Sequence, residues 1–201
     1  MAVRAVIFDI GGVLEITPDL GVGARWERKF GFEPGQMDEL LNEVWEAGAT
    51  GLLTEAQVYA QVKALLPVPP EEVDAMMAEL WVQYLGEANH EMMAFARSLR
   101  PGYKVALLSN SFVGAREREQ ARYGLEDLCD LIVYSHEVGL SKPDPRIFQL
   151  TCERLGVAPE ETVFVDDHEH HVLAARRLGM HAVLFKGAQQ AIAGVRACLG
   201  E

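Results

Sequence analysis

Five short apolar runs, at residues 5–8, 103–108, 131–134, 162–165 and 181–185, constrain the fold of this chain more than any other feature. Each is too short for an ordinary globular helix and suits a strand. From 103 onward, consecutive runs are separated by helix-length segments. That alternation implies an α/β fold: a parallel sheet with helical crossovers covering both faces. Helices are expected at 114–123, 145–155 and 169–178, with Gly124, Gly156 and Gly179 just past their ends, and a last one at 189–199 is stopped by Gly200.

Residues 19–85 break the alternation, with several helical patterns and no convincing strand. Met37, Leu40, Leu41, Val44 and Trp45 follow helical spacing, and Val58, Val62, Leu65 and Leu66 do so behind a Thr54-x-x-Gln57 capping box. Val73, Met76, Met77, Leu80, Trp81, Tyr84 and Leu85 form the strongest stripe. Apolar residues at this spacing are read as core and not as a cofactor box. The organisation expected is therefore a core of residues 1–18 and 86–201 with a small helical lobe, 19–85, inserted after the first strand.

Four segments carry chemistry. The first strand delivers Asp9 onto the Gly11-Gly12 pair, where open α/β sheets bind ligands. A carboxylate there can attack phosphorus or carbon and form a covalent intermediate that water resolves. The run at 103–108 ends in Ser109 and Asn110, whose hydroxyl, amide and backbone N–H groups can hold phosphoryl oxygens. Lys142 lies in a Ser-Lys-Pro-Asp-Pro loop that two prolines stiffen, so its ammonium is presented from a defined position. Asp166 and Asp167 are adjacent acids after another strand, an arrangement that asks for a cation, and magnesium suits such hard oxygen ligands best. His168, His170 and His171 follow, but their spacing does not share one helix face and HExxH is absent, so no transition-metal site is expected.

Composition narrows the partners. Eighteen basic against 30 acidic residues, a formal charge of −12, argues against nucleic acid and anionic membranes. The three cysteines, Cys129, Cys152 and Cys198, have neither disulfide nor zinc spacing, and no apolar stretch approaches ~18 residues, so a cytoplasmic location is expected. Oligomeric state is not legible.

In this order and spacing the four segments resemble the haloacid dehalogenase-like hydrolase superfamily, and the resemblance covers nearly the whole chain. It implies a Rossmann-like core with a small helical cap, and magnesium-dependent transfer from a small phosphorylated substrate. By that likeness Asp9 is the nucleophile, Ser109 the phosphate-binding hydroxyl and Lys142 the charge-stabilising lysine. Mg2+ would be held by Asp9, the Gly11 carbonyl and the Asp166–Asp167 pair, with Asp167 the direct ligand and Asp166 supporting it. Two positions depart from the pattern. His171 stands where related chains often carry asparagine. Gly11 stands where phosphatases of this superfamily usually place the aspartate that protonates the leaving oxygen and then activates water.

Two consequences of Gly11 are expected. Either the substrate carries a good leaving group, such as an anomeric, acyl or aryl phosphate, or Glu15, Asp19, His168 or a cap residue supplies the proton. Two other activities compete with the phosphatase reading: a dehalogenase using Asp9 on carbon without metal, and a phosphate-binding or interaction protein that has lost turnover.

Overall fold

The computed structural model describes residues 2–201. Along the chain run β1 (Ala5–Phe8), β2 (Glu15–Ile16), α1 (Val22–Phe30), α2 (Gln36–Ala49), α3 (Glu55–Leu65), α4 (Pro70–Leu85), β3 (Glu87–Ala88), α5 (His90–Ser98) and β4 (Lys104–Ser109). There follow α6 (Ala115–Tyr123), β5 (Leu131–Tyr134), α7 (Ser135–Val138), α8 (Pro145–Leu155), β6 (Thr162–Asp166), α9 (Glu169–Arg177), β7 (His181–Leu184) and α10 (Ala188–Leu199).

The five apolar runs become one parallel sheet in the order β5-β4-β1-β6-β7. β1 is central, with Phe8 facing Leu107 of β4 on one side and Val165 of β6 on the other. Period-two alternation explains why its residues are all apolar. Val6 and Phe8 join a core with Met92 and Phe95 of α5 and Val195 of α10, while Ala5 and Ile7 pack on the opposite face against Phe148 of α8 and Ala175 of α9. Gly124, Gly156 and Gly200 end α6, α8 and α10 in the left-handed conformation that glycine adopts without strain.

Helices α1 to α4 surround their own buried cluster, which includes Trp26, Leu41, Val62, Met76 and Met77 and also takes in Val113 from the loop after β4. The capping box forms as expected: Thr54 Oγ1 accepts from the Gln57 N–H at 3.3 Å and Gln57 Oε1 accepts from the Thr54 N–H at 2.8 Å. Two members of the expected stripes face outward, Leu40 at 40% and Leu65 at 42% exposure. Each stripe is therefore narrower than its sequence pattern. A two-stranded antiparallel ribbon pairs Glu15 with Ala88 and Ile16 with Glu87, tying together the points where the chain leaves and rejoins the sheet region. Among the described residues, no helix is long and apolar enough to cross a membrane.

Candidate active site

The carboxyl ends of β1, β4 and β6 are neighbours in the sheet, so the residues that follow them converge. Lys142, with its side chain fully buried, places Nζ 2.7 Å from Asp9 Oδ2 and 2.7 Å from Asp166 Oδ2. Asp9 Oδ1 accepts from the Ile10 N–H at 2.8 Å, so both its oxygens are held. Asp166 is more enclosed still. Its Oδ1 accepts from the His168 N–H at 2.8 Å, and Nδ1 of His171 lies 3.1 Å from both its oxygens. The histidine at 171 thus supplies a hydrogen bond to the acid pair from the position where asparagine was expected.

Asn110 turns its side chain to the backbone of Lys142. Its side-chain Oδ1 accepts from the Lys142 N–H at 2.7 Å, and its Nδ2 donates to the Lys142 carbonyl at 2.8 Å. This two-way clamp fixes the backbone that carries the ammonium. Ser109 is buried at the end of β4, its hydroxyl 3.4 Å from the Asn110 carbonyl.

Carboxylate oxygens of Asp9, Asp166 and Asp167 all lie within 4.8 Å of one another. Three carboxylates face one ammonium, a donor set short of positive charge and rich in hard oxygens. It fits a magnesium ion. Burial pushes the Asp9 carboxyl up to about 7, with Lys142 pulling it down and Asp166 adding to the rise. Burial would raise Asp166 as well, but His171 and Lys142 hold it well below the usual carboxylate range. His168 stands just before α9, where its backbone is extended (φ −96°, ψ 116°). Its ring therefore turns back, Nδ1 sitting 2.7 Å from Asp167 Oδ1, and Asp166, His168 and His171 also bring one ligand atom each within 4.8 Å.

Asp9, Ser109, Asn110, Lys142 and Asp167 line a cavity of about 600 Å³, together with Gly11, Asp19 and His168. Two further acids line it. Glu15 and Glu119 are buried, and Oε1 of each lacks a hydrogen-bond partner among the described residues. Burial drives their carboxyls up, to about 9 for Glu15 and about 7 for Glu119, and the Glu119 charge adds to the Glu15 shift. Tyr134 Oη donates to Glu119 Oε2. Glu119 carries no sequence signal of this burial. It stands on the polar α6 beside Glu117, and only the distant Tyr134 distinguishes it.

The two glycines after Asp9 differ. A Cβ built on Gly11 meets nothing within 4 Å, so this position has room for a side chain. Gly12 has φ +76°, and its Cβ would stand 2.3 Å from Asp167 Oδ2. Only glycine lets the loop pass so close to that carboxylate.

A parallel α/β sheet that brings an aspartate, a lysine and an acid pair to adjacent strand ends defines a class of hydrolase. The model for haloacid dehalogenase-like hydrolases matches residues 3–179, and the chain belongs to that family. It is 28% identical over 187 residues to the D-ribitol-5-phosphate phosphatase of Bacteroides thetaiotaomicron, which covers 88% of this chain and 89% of that protein. It is also 28% identical over 210 residues to the bifunctional epoxide hydrolase 2 of Sus scrofa, across 96% of this chain but only 38% of the longer protein. Among solved structures, a family enzyme from Bacteroides thetaiotaomicron in complex with magnesium and inorganic phosphate superposes with a TM-score of 0.77. That match has 25% identity and covers 92% of this chain and 95% of the other.

Proposed function

We propose that the chain is a magnesium-dependent phosphatase that hydrolyses a small phosphorylated metabolite through an aspartyl-phosphate at Asp9. The observation that carries this reading is the Lys142 ammonium at 2.7 Å from both Asp9 and Asp166, with Asp167 in the same carboxylate cluster. In the first step an Asp9 oxygen attacks phosphorus and the ester P–O bond breaks, releasing the leaving group with its electron pair. In the second, water attacks the aspartyl-phosphate, freeing inorganic phosphate and regenerating Asp9. Lys142 neutralises charge on the phosphoryl oxygens, Ser109 donates to them, and Asn110 positions Lys142 through its backbone clamp. Asp9, the Gly11 carbonyl, Asp167 and, in support, Asp166 would hold Mg2+, which supplies positive charge to the transferring phosphoryl group. Residues 19–85 act as the cap over this cavity, and 1–18 with 86–201 as the core.

Gly11 leaves no carboxyl at the usual acid/base position. General acid assistance is worth ~10²–10⁴-fold, so the substrates favoured are those whose leaving group needs little protonation. A screen of phosphorylated metabolites and aryl and acyl phosphates, with and without magnesium, tests the reading. Hydrolysis is expected to fall at least ~10²-fold on chelation. Halide release from 2-haloacids that survives chelation would replace this reading with a dehalogenase. A stoichiometric burst without turnover would leave a phosphate-binding protein.

Gly12→Ala tests the acid pair independently. The new methyl group must displace Asp167 or the loop, so the half-saturating magnesium concentration is expected to rise roughly 10–100-fold. Gly23→Ala, where a Cβ meets nothing, serves as the control and should not move it.

A further inference from the structure

A second cavity, of about 360 Å³, adjoins the first and differs from it in chemistry. Its walls are Trp45 of α2, Met77, Leu80 and Trp81 of α4, and Phe112 of the loop after β4. Tyr84 and Asn110 line both cavities, so the apolar space begins beside the residue that fixes Lys142. Its walls are held in place by packing. The Phe112 ring stacks edge-on with Trp45 at 5.9 Å and with Trp81 at 6.2 Å between centroids. It also packs so closely on Gly48 that a Cβ there would approach it to 2.4 Å. The end of α2 is anchored to the core by Ser135 Oγ, which donates to the Ala49 carbonyl at 3.0 Å. A cavity walled by aromatic and aliphatic groups, beside a small polar cluster, has the character of a small-molecule subsite.

We infer that this cavity binds the leaving group, and that the substrates are monophosphate esters of aromatic or similarly compact apolar alcohols. The inference rests on the phosphatase reading and deepens it. Room is sufficient: a cavity of ~150 Å³ accepts a benzene ring, so this one accommodates a fused bicyclic group. The missing carboxyl at Gly11 points the same way from a separate observation, since an aryl oxygen leaves with little protonation whereas an alkyl oxygen does not.

The test compares 1-naphthyl phosphate with phenyl phosphate, whose leaving groups are similar in acidity, and adds acetyl phosphate as a small polar ester with a good leaving group. An added ring in an apolar pocket is expected to raise kcat/KM for the naphthyl ester about tenfold or more over the phenyl ester. Leu80→Trp, which fills the space, should lower the naphthyl-to-acetyl ratio by a similar factor. Should that variant fail to fold, inhibition of the wild type by 1-naphthylmethylphosphonate against methylphosphonate reads the same preference, again about tenfold. Hydrolysis of acetyl phosphate with equal inhibition by the two phosphonates would overturn this inference and leave the phosphatase reading intact. Hydrolysis of other phosphorylated metabolites but of neither aryl ester would overturn this inference alone, and no hydrolysis of any phosphate ester, the metabolite screen included, would overturn both.

Discussion

Gly11→Asp is expected to raise turnover of alkyl phosphates by about 10²–10⁴-fold while changing that of aryl phosphates far less. The position lies two residues after Asp9, where phosphatases of this family usually carry the aspartate that protonates the leaving oxygen. Its backbone does not need glycine: φ is not positive and a Cβ meets nothing within 4 Å. The substitution therefore adds a carboxyl to space already present, without moving Gly12 away from Asp167. The measurement is kcat/KM across esters of graded leaving-group acidity. A steep dependence in the wild type should flatten in the variant, because the added acid helps most where the leaving oxygen is most basic. A slope already shallow in the wild type would mean that a proton reaches that oxygen from elsewhere. Glu15 would be the first residue to substitute, since it lines the cavity with an unpartnered oxygen and a carboxyl raised to about 9.

Lys142 was legible in the sequence because two prolines stiffen its loop, and Asp9, Ser109, Asp166 and Asp167 because a buried strand must be apolar along its length. The first polar residue after such a run marks where the chain reaches the open end of the sheet. Their meeting follows from topology, since β1 lies between β4 and β6. What the sequence concealed depends on contacts across long separations. Glu119 looks like any acid of a solvated helix until Tyr134, on a different element, covers it. Helix α1 escaped notice because its only buried apolar residues are Val22 and Trp26 in an otherwise polar stretch. His168 and His171 are three apart, a spacing that favours one face, and His168, just before the helix with an extended backbone, brings its ring to the same acid pair as His171. The apolar cavity was hidden in plain view, since Trp45, Met77, Leu80 and Trp81 satisfy the core rule. Only the assembled lobe leaves part of that surface facing a space.

Asp9→Asn is expected to lower kcat by about 10⁴-fold or more, the scale on which loss of a covalent nucleophile is felt. The amide is nearly isosteric and its oxygen can still accept from the Ile10 N–H, so the loop after β1 has no steric reason to move. What changes is the nucleophile, because an amide oxygen does not form the aspartyl-phosphate. Lys142 keeps Asp166 as a partner at 2.7 Å, which limits the cost of leaving its buried ammonium short of one carboxylate. Activity alone does not separate phosphatase from dehalogenase, since both would use Asp9. The discriminating measurement is mass spectrometry of acid-quenched enzyme during turnover. Wild type should carry a phosphate adduct on the peptide containing Asp9, and the variant should carry none. An adduct that persists in the variant would place the nucleophile elsewhere among the acids of the cavity, with Asp167, the more exposed of the acid pair, the next residue to test.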